Sequence, residues 1–166
     1  MVLEFLASIM QSYGLLGVFL ATLAANASII LPIPVDILII ALGASGAFNP
    51  WALGLTAGLA AAIGELTAYL LGFLGYASLQ RIKPSEIKRI DAFAQKVGNA
   101  GMPFLVLVAF TPFPFDLAGM AAGLIKYDVK RFFLAALIGK EARYLLLAFA
   151  GVLGVEAVKA FFGVQA

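Results

Sequence analysis

The chain has 166 residues, of which 63% are hydrophobic and 12% are charged, with a formal net charge of +2 and a mean hydropathy of +1.05. This balance excludes an ordinary soluble domain and predicts a single membrane domain over residues 1–166, with room for a handful of spanning elements of about 20 residues. The absence of cysteine and histidine excludes disulfides, thiolate metal sites and imidazole acid-base chemistry.

The mainly apolar stretch from Leu3 to about Ala25 predicts a first spanning helix that runs from inside to outside. It has no basic n-region and no clear cleavage site, so we interpret it as a retained helix rather than a signal peptide. The next apolar stretch, Ile29 to Phe48, is interrupted by Pro32 and Pro34, which cannot donate helix hydrogen bonds. No basic residue anchors it on the cytoplasmic side, and it predicts a re-entrant hairpin that enters from the outer face.

A long crossing helix is predicted from Ala52 to about Leu79. Three small residues, Gly54, Gly58 and Ala62, recur along it at four-residue spacing. Such a stripe lets the backbone of another helix approach closely. The helix therefore offers one face for tight packing against a second helix.

Basic residues predict the orientation of the chain. No lysine or arginine precedes position 81, and five follow between positions 81 and 96, which predicts a cytoplasmic loop over residues 80–99 by the positive-inside rule. Within it, residues 83–98 place apolar side chains at helical intervals among charged ones and predict an amphipathic helix on the membrane surface. We interpret this helix as a linker that orients the two halves, in preference to a lipid-recognition element.

A second basic group occurs between positions 126 and 131. If both groups are cytoplasmic, the apolar stretch from Gly101 to Ile125 must leave and return on one side of the membrane. Pro112 and Pro114 supply the turning point, and the stretch predicts a second re-entrant hairpin, which a bilayer tolerates only against protein or a wet cavity. The last full crossing is then predicted from Val129 to about Gly151.

The pattern Pro-x-Pro-x-Asp occurs at residues 32–36 and again at 112–116. Two units of opposite orientation, about 26–80 and about 100–151, follow from its two copies. They predict an all-α polytopic membrane fold with an inverted repeat and two opposed re-entrant hairpins, which is the architecture of many secondary transporters. The alternative is that two proline kinks arose separately.

Ionisable side chains inside a membrane cost at least about 2.5 to 3.5 kcal/mol each and are retained mainly for function or pairing. We assign the carboxylates to proton coupling or gating. We assign the cations and two tyrosines to binding of a substrate anion, because arginine offers a bidentate fork for phosphate or carboxylate. The proton-coupling candidates are Asp36, Glu65, Asp116 and Glu141. The anion-binding candidates are Arg143, Lys140, Tyr144 and Tyr69.

The same charges also have a purely structural interpretation. Arg143 and Lys140 would then neutralise Asp36 and Glu65 across the repeat interface and lock the fold. Four carboxylates cannot be neutralised one to one by two cations, so at least one is expected to hold a proton near neutral pH, as a proton-coupled carrier requires. Substrate binding and internal pairing both remain open for the two cations.

Several short motifs follow one another from about Ala25 to Gly151. They are Pro32-x-Pro34-x-Asp36, Gly43, Gly64-Glu65-x-x-x-Tyr69-x-x-Gly72, Phe93, Gly98, Phe110-Thr111-Pro112-x-Pro114, Ala122-Gly123 and Phe132. Together they resemble the DedA family, also called the VTT or SNARE-associated domain superfamily. The resemblance implies two facing re-entrant hairpins in a cell-membrane protein that moves lipids, such as undecaprenyl phosphate or phospholipids, in dependence on the proton-motive force.

Two departures from the family pattern affect the binding of an anion. The arginine that usually follows the second proline pair is replaced here by Phe115-Asp116, and Gly72-Phe73 stands where the family has Gly-Arg. The cation for an anionic head group must then come from elsewhere, and Arg143 and Lys140 are the candidates.

The sequence thus predicts a DedA-type transporter that carries an anionic lipid or polyprenyl-phosphate head group across the bilayer. The alternatives are a proton- or ion-coupled carrier of a small solute, and a membrane assembly or scaffold protein that binds a partner helix. No nucleophile-base pair, metal cluster or phosphate loop is apparent, so no enzymatic activity, cofactor or metal is predicted. Membrane lipids and a coupling ion are the expected partners, a homo-oligomer is compatible with the sequence, and nothing predicts nucleic-acid binding.

Overall fold

The structure, a computed structural model, describes residues 2–28, 35–82 and 101–162. Every regular element within these ranges is an α-helix, in agreement with the predicted all-α class. Two described stretches, Glu4–Ala27 and Pro50–Tyr76, are long and apolar enough to cross a membrane. The helices are α1 (Val2–Ala27), α2 (Val35–Ser45), α3 (Pro50–Gly64), α4 (Leu66–Ile82), α5 (Gly101–Phe110), α6 (Phe115–Leu124) and α7 (Val129–Phe162).

Helix α1 is sharply bent, whereas the sequence predicts one uninterrupted helix. The bend is at Gly14, whose backbone (φ 59°, ψ −139°) is accessible to glycine because it has no Cβ. Beyond it, the Gly17 backbone lies directly against the backbone of Ile9. The two arms of α1 are therefore folded close together, and Leu6 and Met10 of the first arm are buried.

The predicted crossing helix over Ala52 to Leu79 is present but is interrupted by one residue, Glu65. Helix α3 begins at Pro50 because the side chain of Asn49 caps its first turn. Hydrogen bonding continues through the interruption, since the N–H of Tyr69 donates to the carbonyl of Glu65 at 3.3 Å. Glu65 is thus placed at the junction between α3 and α4.

The second proline break lies where the sequence predicts it, at residues 111–114 between α5 and α6. Pro114 occupies the position before the first turn of α6 and makes no side-chain cap hydrogen bond. Both prolines of the first copy, and the amphipathic helix predicted over residues 83–98, lie outside the described residues.

The two halves of the chain exchange their short helices. Helix α2, from the first half, packs on α7, and α6, from the second half, packs on α4. Helices α3 and α7 pack against each other, α1 packs against α3, and α5 packs against α7. The centre of the protein is therefore built by both halves together.

Four glycines bring helix backbones into direct contact at the two exchanged interfaces. Each lies against a backbone carbonyl group, so a Cβ at any of them would overlap the opposing helix. The contacts between α2 and α7 are Gly43 with Ala148 and Gly151 with Ile40, and the contacts between α6 and α4 are Gly123 with Tyr69 and Gly72 with Met120. Each residue of the first two contacts has a counterpart in the second two that is 79 or 80 positions away in the sequence.

The predicted small-residue stripe on α3 is occupied by the chain's own α7. Gly54 lies against Leu145, and Gly58 lies against Glu141. Ala62, the third member of the stripe, is completely buried. The stripe is consequently covered within the chain, and the scaffold alternative loses the surface on which it was based.

Candidate functional site: a charged cavity between two helix N-termini

A cavity of about 150 Å³ lies where α1, α2, α6 and α7 meet the junction of α3 and α4. We call it the charged cavity. Six of the eight predicted proton-coupling and anion-binding residues line it, and they come from both halves of the chain. These six are Asp36, Glu65, Asp116, Lys140, Arg143 and Tyr144.

The most deeply buried ion pair joins Lys140 to Glu65. The Lys140 Nζ lies 2.5 Å from Glu65 Oε1, and the two side chains are 8% and 3% exposed. The same ammonium group donates a hydrogen bond of 3.1 Å to Asn26 Oδ1 and lies 5.6 Å from the centre of the Phe115 ring. Lys140 is therefore surrounded by partners from α1, α6 and the α3–α4 junction.

Arg143 joins the two proline-containing regions through a fork of hydrogen bonds. One guanidinium nitrogen donates to Asp36 Oδ2 at the start of α2. The second terminal guanidinium nitrogen donates to the backbone carbonyl of Thr111, which lies in the break between α5 and α6. Two N–H groups aimed at two different oxygens use the planar donor geometry that distinguishes arginine from lysine.

The third carboxylate of the charged cavity, Asp116, has no ion pair among the described residues, although it lies within electrostatic reach of Lys140 and Glu65. In addition, the Oε2 atom of Glu65 is buried without a hydrogen-bond donor. Three carboxylates and two cations thus leave a formal excess of one negative charge when all are ionised. This excess by itself disfavours the entry of an anion.

Two helix N-termini also face the charged cavity. Helix α2 begins at Val35 and α6 begins at Phe115, and both residues line it. The first turn of a helix carries N–H groups without intrahelical partners and about half a positive charge. Together with the two cations, these N-termini provide donors that an anionic group can use.

A family model for the VTT domain matches residues 33–153, which is more than half of the chain and includes all five charged residues of the cavity. The chain belongs to the VTT domain family. No curated protein and no solved structure gives a match. The VTT domain is the domain of the DedA family, so the resemblance noted in the sequence is confirmed and the chain is a membrane protein of the DedA type.

Asn26 lies outside the matched VTT range and was missed as a site residue, although it organises the charged cavity. Its Oδ1 accepts from Lys140, and its Nδ2 donates to the carbonyl of Thr22 at 2.9 Å and to the hydroxyl of Tyr144 at 3.3 Å. The available sequence signal is an amide side chain at the end of an apolar helix. Asparagine is common at helix ends, so this signal does not distinguish a site residue from an ordinary helix terminus.

Replacing Asn26 with leucine is expected to destabilise this VTT domain by about 1 to 3 kcal/mol, because the buried ammonium group of Lys140 loses a hydrogen-bond acceptor. Thermal unfolding of the purified protein in detergent measures the effect. Ser78→Ala is the control, since that exposed hydroxyl donates only to the carbonyl of Leu74 in its own helix. Equal unfolding temperatures for the Asn26 variant and the unmodified protein would contradict the assigned role.

Two predicted site residues lie away from the charged cavity of the VTT domain. The Tyr69 hydroxyl donates to the carbonyl of Tyr127 at 2.6 Å, and its ring packs on Phe132. Glu141 lies against Gly58 at the α3–α7 interface, and its Oε2 is buried without a hydrogen-bond partner. Consecutive helix positions point about 100° apart, which is why Glu141 is turned away from the cavity that Lys140 lines.

Proposed function

We propose that this VTT protein moves the head group of an anionic lipid, such as a polyprenyl phosphate, across the cell membrane through the charged cavity. The observation that carries the proposal is the convergence of five charged side chains and two helix N-termini, from both halves of the chain, on one cavity. Its volume of about 150 Å³ is below the range of roughly 300–1,000 Å³ for drug-sized ligands. This suits a head group whose tails remain in the lipid.

The proposed architecture is an inverted repeat, about 26–80 and about 100–151, with two re-entrant hairpins that enter from opposite faces. The reciprocal glycine contacts of α2 with α7 and of α6 with α4 support it, since two related units would pair in the same way. Broken helices whose N-termini meet near the midplane are typical of transporter sites. The proposed orientation places the loop over 80–99 in the cytoplasm, as its basic residues favour.

Coupling to protons follows from the ion pairs. Arg143 is engaged by Asp36 and Lys140 by Glu65, so neither cation is available to a head group while both pairs are closed. Protonation of these carboxylates would release the cations and remove the excess negative charge. Entry of the anion and uptake of protons would then favour each other, and transport would open the two pairs in turn.

A carrier of a small anionic solute remains the second candidate, because a cavity of this size would hold a free anion as well as a head group. The proposal assigns transport rather than catalysis to the site. Membrane lipids and protons are the proposed partners.

The test is transport by the purified protein in liposomes that contain a labelled anionic lipid. Arg143→Gln is expected to slow movement of the label between leaflets by about 10- to 100-fold, because it removes charged hydrogen bonds worth about 1.5 to 3 kcal/mol. Arg131→Gln is the matched control: it makes the same change near the start of α7, at an exposed position, and should transport normally.

Three parallel measurements separate the candidates. A zwitterionic lipid should move more slowly than the anionic lipid, and acidification from pH 8 to pH 6 should speed transport. A labelled soluble anion should not cross. If that anion crosses and the lipid does not, the small-solute carrier is correct; if the rate does not depend on pH, proton coupling is wrong.

A further inference from the structure

The proposed transport step does not use Glu141, an ionisable residue of α7. Its side chain is half-buried and lies at the interface with α3, whereas the preceding residue, Lys140, lines the charged cavity. The Oε2 atom of Glu141 is buried without a hydrogen-bond partner. Among the residues that the structure describes, no cation forms an ion pair with this carboxyl group. Its ionised form would therefore face the α3 backbone without compensation.

Gly58 of α3 makes room for the Glu141 carboxyl group. A Cβ at residue 58 would stand 2.8 Å from Oε2 and 2.9 Å from Cδ of Glu141, so the carboxyl group occupies the space that a side chain would need. Glycine offers no side-chain donor in return. An ionised carboxylate without a donor or cation is strongly disfavoured away from water, whereas the neutral form carries no charge to compensate. The geometry thus fits a carboxyl group that holds its proton.

The charged groups on the helices around Glu141 are used elsewhere. Helices α3 and α5 contain no ionisable side chain. The other two helices packed on α7 each contribute one carboxylate, Asp36 from α2 and Asp116 from α6, and both line the charged cavity. The nearest ionisable neighbours on α7 itself also line that cavity, where ion pairs hold the two cations. These neighbours are Lys140, Arg143 and Tyr144.

The interface on which Glu141 lies extends along α3 and α7. At its other end, the ring of Trp51 in α3 lies edge-on against Phe149 in α7, with 5.1 Å between the ring centres. Residue numbers rise along one helix as they fall along the other, so the two helices are antiparallel in this contact. A separation of α3 from α7 would therefore be felt at both Glu141 and Trp51.

We infer that Glu141 binds a proton at the α3–α7 interface, outside the charged cavity, and that release of this proton to water loosens α3 from α7. With the proton bound, the neutral carboxyl group packs on Gly58 and the two helices stay in contact. Once ionised, the carboxylate needs donors that α3 does not offer, and it leaves Gly58 to reach water. Because α7 also carries Lys140, and α3 leads directly into Glu65, loosening of the helices weakens the ion pair of the charged cavity.

Infrared spectroscopy of the full chain in detergent micelles tests whether Glu141 holds a proton. The spectrum of Glu141→Gln is subtracted from that of the unmodified protein, which isolates the carbonyl stretch of a protonated carboxylic acid at this residue. The band is expected at pH 6 and should weaken several-fold at pH 9. Asp128→Asn is the matched control, because Asp128 is an exposed carboxylate at the start of the same helix and should give no such band at pH 6.

Trp51 provides the test of helix loosening, since it is the only tryptophan of the chain. Fluorotryptophan at this position gives a single fluorine NMR resonance that is sensitive to the Phe149 ring. Between pH 6 and pH 9 the resonance is expected to move toward the position measured in Phe149→Leu, which lacks the ring contact. Glu141→Gln imitates the neutral carboxyl group and should abolish this movement, whereas Asp128→Asn should retain it.

Several results would overturn the inference. Absence of the carboxylic-acid band at pH 6 would mean that Glu141 is ionised in the folded protein. A Trp51 resonance that does not depend on pH would mean that proton release leaves the helices in contact. A movement that persists in Glu141→Gln would assign the pH response to another group. Since none of these measurements involves transport, their outcome is independent of the proposed function.

Discussion

Replacing Lys140 with methionine is expected to lower the free energy of unfolding by about 3 to 5 kcal/mol, because a buried carboxylate is left without its cation. Glu65 is 3% exposed, and Lys140 is its ion-pair partner in the structure. The Oε2 atom of Glu65 already lacks a hydrogen-bond donor, and the neighbouring carboxylate of Asp116 places a second negative charge beside it. Thermal unfolding and denaturant titration in micelles measure the loss.

A second substitution shows whether this pair only stabilises the fold. Lys140→Met combined with Glu65→Gln removes both charges and should recover most of the lost stability, since no unpaired ion remains. The recovered protein should still fail to move labelled anionic lipid if Lys140 serves the head group. Full transport by the stable double variant would assign the pair to the fold alone. Lys130→Met, at an exposed position of the same helix, should change neither stability nor transport.

The second large effect is expected at the glycine contacts. Gly72→Ala and Gly151→Ala should each lower the free energy of unfolding by about 1 to 3 kcal/mol, because the added methyl group forces packed backbones apart. At Gly72 a Cβ would overlap the Met120 carbonyl group, and at Gly151 it would overlap that of Ile40. Chemical denaturation of both variants in one detergent gives the comparison.

The chain provides matched controls three residues further along each helix. Gly75 and Gly154 have nothing within 4 Å of an added Cβ, so alanine there should be neutral or should stabilise the helix by up to about 1 kcal/mol. If all four substitutions have equal effects, the close contacts are absent. If Gly72→Ala and Gly151→Ala differ strongly from each other, the equivalence of the two interfaces fails.

Local chemistry explains what could be predicted from the sequence. The break at Pro112 and Pro114 was located correctly because a proline ring prevents helix continuation whatever surrounds it. Six of the residues that line the charged cavity were also among those selected, since an ionisable group in an apolar stretch is conspicuous without any structure. The helical class and the membrane assignment follow from composition, and the VTT match agrees with them.

Other features depend on contacts between distant segments. Asn26 and Lys140 are 114 positions apart, and nothing in their neighbours indicates that they meet. The sequence assigned Tyr69 to the anion-binding set, but its hydroxyl donates to the carbonyl of Tyr127, 58 positions away, and not into the charged cavity. The unpaired Oε2 atom of Glu141 likewise becomes visible only when the surrounding side chains are in place.

By itself, the sequence determined that the chain is helical, where its second proline break falls and which charges it must accommodate. Those properties are local, because they arise from backbone hydrogen bonding and from the cost of placing single side chains in lipid. Only the tertiary structure decided that Arg143 pairs with Asp36 and Lys140 with Glu65. It also decided that α2 packs against a helix of the second half of the chain and α6 against a helix of the first half. Periodicity fixes the face on which a side chain lies, whereas the identity of its partner depends on how whole helices pack.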